Sequence, residues 1–197
     1  MQKRILISSE YNHTIMKVVT IKEKYIKTVT PEMEKKFGYG NVMAIPRILK
    51  VVVNVGTGKI GREGDRDQEV FDSIMMITGQ RPVKTKAKKA IAGFKTRQGM
   101  DVGVKVTLRG KKMWSFIDRL IVATLPRTKD FQGIPDSSVD SNGNLNIGIK
   151  EHLIFPEISP EQVKTIFGMQ VTVASTAKDR KEGLELYKLL GFPLKKN

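Results

Sequence analysis

In Val102-Gly103-Val104-Lys105-Val106-Thr107-Leu108-Arg109, aliphatic and polar residues alternate without a break. A period of two puts Val102, Val104, Val106 and Leu108 on one side of a strand. Gly103, Lys105, Thr107 and Arg109 fall on the other. Upstream, Pro82 to Lys88 alternates in the same way, with Val83, Thr85 and Ala87 set against Lys84, Lys86 and Lys88. Lys89 to Met100 lies between, carries Gly93 and Gly99, and suits a long, mobile hairpin tip. Arg47 to Val55 is a third strand by composition. Leu49, Val51, Val53 and Val55 are expected on one face, and Ile48, Lys50, Val52 and Asn54 on the other. Leu145 to Ile149 and Met169 to Ser175 add two more strands.

Helical periods lie between the strands. Tyr25, Val29, Met33 and Phe37 recur at steps of four. Thr30-Pro31 reads as an N-cap followed by a first-turn proline, which predicts a short lead-in and then a helix to Phe37, ended by Gly38 and Gly40. Asp67 to Thr78 presents Val70, Phe71, Ile74 and Ile77 as a core stripe, with Gly79 as the C′ residue. Lys111 to Thr124 presents Met113, Phe116, Ile117, Leu120 and Ile121, and Pro126 stops it. Thr128 to Asn144 is polar and reads as a long loop. Ser159-Pro160-Glu161-Gln162 has the form of a capping box. Asp179 to Leu190 is a closing helix, terminated by Gly191 and Pro193. The fold class that follows is α+β: a largely antiparallel sheet with helices packed on one face and a basic face on the other, in a split βαβ-like order.

Charge narrows the partner. The 197 residues hold 35 lysines and arginines against 20 acids, a formal net charge of +15. Between Arg81 and Lys112 eleven basic residues stand with one acid, Asp101, so +10 of that charge falls in 32 residues. The density is interleaved with Val, Ala, Phe and Leu, which marks a folded polyanion-binding region and points to nucleic acid. Cysteine is absent, which removes disulfides and thiolate chemistry. No apolar run approaches the roughly 20 residues of a membrane span, and no basic amphipathic helix rich in aromatics suggests a membrane surface. Met16 is read as a candidate translational start.

With the apolar faces against helices, the opposite face is expected to collect Lys50, Asn54, Lys84, Lys86, Lys105, Thr107 and Arg109. The cations suit phosphates, while Asn54 and Thr107 suit sugar or base edges. Aromatics are sparse, so shape and backbone recognition of structured RNA fits better than base stacking. Gly56-Thr57-Gly58-Lys59-Ile60-Gly61 matches G-x-G-x-x-G between a strand and a helix. The next segment is Thr78-Gly79-Gln80-Arg81-Pro82 and then a lysine-rich strand, with no ribose-binding acid. A nucleotide-dependent enzyme and a general basic nucleic-acid binder stay open as rivals. His13 and His152 stand alone, and Asp136, Asp140 and Asn142 lack calcium-loop spacing, so no catalytic set, metal site or cofactor is expected. Trp114 reads as packing.

Several strings are more specific. Gly40-Asn41-Val42-Met43-Ala44-Ile45-Pro46-Arg47 leads to Val53-Asn54-Val55-Gly56-Thr57-Gly58, then to Thr78-Gly79-Gln80-Arg81-Pro82-Val83-Lys84. Ala92-Gly93-Phe94-Lys95-Thr96-Arg97-Gln98-Gly99, Lys105-Val106-Thr107-Leu108-Arg109-Gly110, Leu125-Pro126-Arg127 and Leu153-Ile154-Phe155-Pro156-Glu157-Ile158 follow in order. Together, from about Ile21 to Lys196, they resemble the bacterial large-subunit ribosomal protein L-five family. The resemblance implies a non-enzymatic part of the 50S subunit in the cytoplasm. It implies binding to 5S rRNA in the central protuberance and contacts with 23S rRNA, P-site tRNA, other 5S-associated large-subunit proteins and small-subunit protein S-thirteen. Asn54, Gln80 and Thr107 match the family's 5S-contacting positions, with Lys50, Lys84, Lys86, Lys105 and Arg109 as cationic support. Lys89, Gly93, Phe94, Lys95 and Arg97 match its tRNA-proximal loop. Residues 1–19 lie outside the pattern as an N-terminal extension, and 20–197 are expected to form one domain. The family's Phe-Asp-Gly-Arg-Gly-Asn run is here Val139-Asp140-Ser141-Asn142-Gly143-Asn144, a departure that removes basic charge from the 128–144 loop.

Overall fold

The computed structural model describes residues 20–58, 66–94, 96–129 and 131–195. The N-terminal extension with Met16 and His13, the Lys59–Gly61 end of the glycine motif, and Lys95 lie outside the described residues. Five strands form one sheet: β1 (Ile48–Gly56), β2 (Val83–Lys86), β3 (Asp101–Leu108), β4 (Leu145–Ile149) and β5 (Met169–Ser175). Their order is β2-β3-β1-β5-β4, and every neighbouring pair is antiparallel. Because β3 separates β1 from β2, those two strands run parallel. The helix that links them, α3 (Arg66–Thr78), completes a split βαβ unit. The α+β class expected from the pattern is the one observed.

One face of the sheet is fully apolar. Val51, Val53 and Val55 of β1, Val104, Val106 and Leu108 of β3, Val171 and Val173 of β5, and Leu145 and Ile147 of β4 are all buried. The helices supply the opposing layer: Val70, Ile74 and Ile77 from α3, Met113, Phe116 and Ile117 from α4 (Gly110–Arg119), and Leu186, Tyr187 and Leu190 from α5 (Arg180–Leu190). Burial of this aliphatic set is the main source of stability.

Three local expectations are corrected. In β1 the bulge between Ile48 and Lys50 reverses the parity, so Ile48 is 5% exposed and Leu49 45% exposed. At the N-terminus, Thr30 does not cap a helix: its backbone is helical (φ −57°, ψ −54°). The chain is already helical from α1 (Ile21–Lys24), capped by Thr20, whose hydroxyl accepts from the Glu23 N–H. It then widens through a π turn (Tyr25–Val29) into α2 (Thr30–Phe37). That widened turn accommodates Pro31, which has no N–H to offer. Finally, Ser159 makes no capping bond, and Pro160–Gln162 is a single 3-10 turn.

The helical layer is cross-tied. The Ile21 N–H donates to Asp118 of α4 at 2.8 Å, Tyr25 packs on Trp114, and Lys36 pairs with Glu185 of α5 at 2.6 Å. His152 is fully buried, stacked on Phe167 at 3.9 Å, and its Nδ1 accepts from the Phe167 N–H. Desolvation lowers its pKa, so it packs as a neutral ring.

The 128–144 segment is not loose throughout. Asp140 accepts from the Asn142 and Asn144 N–H groups at 3.0 and 2.8 Å and from the Asn144 side-chain amide at 2.9 Å. Burial would raise its pKa, but these bonds outweigh burial and hold the carboxyl below its ordinary value. A carboxylate depressed in the folded state stabilises above its unfolded pKa, about 4, and that contribution is lost as pH falls through the folded value. Asp140→Asn is therefore expected to lower stability by about 1 kcal/mol near neutrality. The gap from wild type should close on acidification below about pH 4. Urea unfolding at a series of pH values checks this, and a gap independent of pH would contradict it.

Candidate nucleic-acid interface

Among the described residues, nothing covers the other face of the sheet. Residues paired directly across antiparallel strands share a face, so the register assigns its members. Asn54 is opposite Lys105 on one side and Gln170 on the other. Val83 continues that row beyond Lys105, and Gly148 continues it beyond Gln170. The next row runs Asn146, Thr172, Val52, Thr107. Lys50 lies one step further, opposite Ala174. Asn54, Lys105 and Gln170 are exposed, and Lys50 and Thr107 are partly so. Arg109 follows the end of β3 in extended conformation (φ −140°, ψ 165°), at the N-cap of α4, and is exposed.

Gln80 comes to the same place by a different route. Gly79 turns the chain at the end of α3 with φ +63°, and the Lys112 ammonium donates to its carbonyl at 2.8 Å. The Thr78 hydroxyl bonds back to Ile74 at 2.7 Å. The Gln80 side-chain amide then donates to the Thr107 carbonyl at 3.1 Å. Gln80, Thr107 and Asn54, separated by up to 53 positions, thus form one neutral cluster beside Lys50, Lys105 and Arg109.

One expected member, Lys84, stands elsewhere. Lys84 is opposite Val104, whose side chain is buried on the helix side, so Lys84 projects from the far face at the sheet's edge. The residues of β2 on the open face are Val83, 65% exposed, and Thr85, opposite Gly103. Lys86 returns to the open side because β3 carries one extra residue there, which brings Lys86 opposite Asp101. The inversion follows from register: alternation tells which residues share a face, but not which face β2 turns inward at the edge. Three open-face residues were passed over in the sequence reading: Asn146, Gln170 and Thr172. Their alternation with Leu145, Ile147, Val171 and Val173 was the available signal.

Beyond β2 and β3 the hairpin closes on itself. Ile91 and Thr96 exchange both backbone hydrogen bonds, Ala92–Phe94 is a 3-10 turn, and Ala87 pairs with Met100 and Gly99. Lys89, Gly93 and Arg97 are exposed on this tip, away from the Asn54 cluster. At the same end of β1, the Thr57 N–H donates to the Val102 carbonyl. The neighbours of β1 are both antiparallel, which is incompatible with a dinucleotide-binding βαβ site at Gly56–Gly61. Among the described residues there is no group of His, Asp or Glu that could hold a metal ion, and no helix long and apolar enough to cross a membrane.

A family model described as "Ribosomal protein L5" matches residues 41–97, and a second model, for the C-terminus of the same ribosomal protein family, matches residues 101–194. The chain is 47% identical over 176 residues to a large ribosomal subunit protein uL5 of Desulforamulus reducens, covering 89% of this chain and 97% of that one. It is 49% identical over 178 residues to the uL5 protein of Kosmotoga olearia, covering 90% and 97%. With the uL5c protein of Spinacia oleracea it shares 46% over 175 residues, 89% of this chain and 68% of the relative.

Proposed function

The chain belongs to the uL5 family of large-ribosomal-subunit proteins, and from that premise we propose that its open sheet face binds 5S rRNA within the subunit. Its relatives are ribosomal proteins rather than enzymes, and this one too is a ribosomal component of the large subunit and not an enzyme. The observation that carries the 5S reading is the convergence of Asn54, Gln80 and Thr107 on one uncovered surface, flanked by Lys50, Lys105 and Arg109. Lysine and arginine neutralise phosphates of any sequence. Fixed amides and hydroxyls are assigned the selection, because they can hydrogen-bond to sugar and base edges in one orientation. In the same reading the exposed tip with Lys89 and Arg97 reaches tRNA, and the remaining surface meets 23S rRNA, neighbouring 5S-associated proteins and small-subunit protein S-thirteen. The tip's separation from the sheet cluster supports two distinct contacts. Lys84, at the edge and facing away, is left out of the phosphate contacts of this face.

The test is competition between 5S rRNA, an unrelated structured RNA and a DNA duplex at one salt concentration. Thr107→Val keeps the β-branched shape and removes only the hydroxyl. Its preference for 5S rRNA is expected to drop by about tenfold, while affinity for unrelated RNA stays within about twofold. Equal losses for both RNAs would remove the assigned division between grip and selection.

A further inference from the structure

We propose that Asn142-Gly143 is a latent self-modification site, at which the protein's own backbone converts Asn142 to an aspartyl or isoaspartyl residue once the turn holding it opens. It is the single Asn-Gly pair in the 197 residues. Asparagine is a chemically labile side chain, and a following glycine places no side chain in the way of the attacking nitrogen. The reaction needs only water. The Gly143 backbone nitrogen bonds to Asn142 Cγ and gives up its proton. The Cγ–Nδ2 bond breaks, and the side-chain nitrogen leaves with that proton as ammonia. Water then opens the cyclic imide at either carbonyl. One product is aspartate at position 142. The other is its isoaspartyl isomer, whose main chain runs through the side-chain methylene.

The fold makes unequal demands at the two positions. Glycine is required at 143: φ is +71°, and a Cβ there would lie 2.5 Å from the Ala177 methyl and 3.2 Å from the Asp179 carbonyl oxygen. Asparagine is not required at 142. Its side chain is exposed and has no hydrogen-bond partner among the described residues. A reactive amide therefore stands free beside a glycine that packing imposes.

The closed turn holds the reaction off. The nitrogen that must attack belongs to the Gly143 N–H, which donates to the Asp140 carbonyl at 3.1 Å. The Asn142 and Asn144 N–H groups on either side donate to the Asp140 carboxylate. The Gly143 carbonyl accepts from the Ser175 hydroxyl at 2.7 Å and lies 3.0 Å from the Tyr187 hydroxyl. Turning the Gly143 nitrogen toward Cγ breaks its own bond and pulls the carbonyl away from these hydroxyls. Conversion should therefore follow the population in which the turn is open.

The isoaspartyl product cannot rebuild that turn. It lengthens the main chain by one carbon–carbon bond, about 1.5 Å. The extra length falls directly before a glycine without slack, since a Cβ on Gly183 would already stand 2.6 Å from Gly143 Cα. The change is thus a one-way mark on chains whose α5 has come away from β4 and β5. It is independent of the RNA reading above.

The experiment incubates the full chain at neutral pH, folded and in urea. Mass spectrometry of the peptide spanning 142–143 reads loss of the side-chain nitrogen, and methyl transfer by an isoaspartyl methyltransferase is the probe for the isomer. Conversion in urea should be at least about tenfold faster than in the folded chain. Gly183→Ala should speed conversion without denaturant. Should that variant not fold, wild type at rising urea below its midpoint reads the same dependence. Asn142→Gln, whose longer side chain disfavours the ring, should lose the product. Equal rates in folded and unfolded chains would overturn the protection by the turn. Conversion in urea no faster than at the other asparagines would remove the site. Isoaspartyl chains returned to native buffer should unfold at a lower midpoint than Asn142→Asp, which adds the same charge on an unaltered main chain. Equal midpoints for those two would overturn the one-way mark.

Discussion

Gly183→Ala is expected to destabilise the fold by about 3 kcal/mol, although alanine normally improves a helix by about 1 kcal/mol over glycine. Gly183 is in α5, pressed against the Asp140–Asn144 turn. A Cβ there would stand 2.6 Å from Gly143 Cα, 2.8 Å from its carbonyl oxygen and 3.1 Å from its carbonyl carbon. All three are backbone atoms, so no side chain can swing aside. Nor can the turn retreat easily. The Gly143 carbonyl accepts from the Ser175 hydroxyl at 2.7 Å and lies 3.0 Å from the Tyr187 hydroxyl. Tyr187 is fully buried, and burial pushes its phenol up to about 12, so it remains a donor across the accessible pH range. Gly143 has φ +71°, and a Cβ there would fall 2.5 Å from the Ala177 methyl. The two glycines are thus a backbone-to-backbone contact that locks α5 onto β4 and β5. For a chain of this size the loss corresponds to a drop in thermal midpoint of about 9 °C. Thermal unfolding of Gly183→Ala beside Gly148→Ala checks this: the second has open space at its Cβ and should be neutral or mildly stabilising. Equal midpoints for the two variants would show that the contact relaxes.

The second large effect is electrostatic. Lys50→Ala/Lys105→Ala is expected to reduce the slope of log affinity against log salt by about 2, because each lysine is assigned one phosphate. If the two proteins bind alike at 1 M salt, the variant should be weaker by roughly 40-fold at 0.15 M. The loss should be shared by 5S rRNA and unrelated RNA alike. Lys84→Ala provides the contrast. It removes the same charge from the same hairpin, but on the far side of the sheet's edge, and should change the slope by less than about 0.5. A filter-binding series across salt distinguishes the cases. If Lys84→Ala matches Lys105→Ala, the RNA does not follow the open face.

That contrast shows where local pattern stops informing. The alternation in Val102–Arg109 correctly separated Lys105 and Thr107 from Val104 and Val106, because one buried face selects one parity. In β2 both parities are largely exposed, so burial does not select between them. The face was decided by hydrogen-bond register with β3. In β1 a single bulge was enough to exchange Ile48 and Leu49. Pro31 looked like a helix start, because a proline inside a regular α-helix leaves a carbonyl unpaired. The π turn before it removes that objection and is invisible to a 3.6-residue period.

The sequence by itself determined the two-sided strands, the apolar helical stripes, the concentration of positive charge and the identity of Asn54, Gln80 and Thr107 as candidates. Each depends on spacing within one segment or on ordered motifs along the chain. Only the tertiary structure decided that these three meet, that Lys84 leaves their face, and that Asn146, Gln170 and Thr172 extend it. These residues come from distant parts of the chain. Antiparallel pairing brings β3 and β5 to opposite sides of β1, and a register set by bulges and long-range hydrogen bonds fixes which side chains stand together.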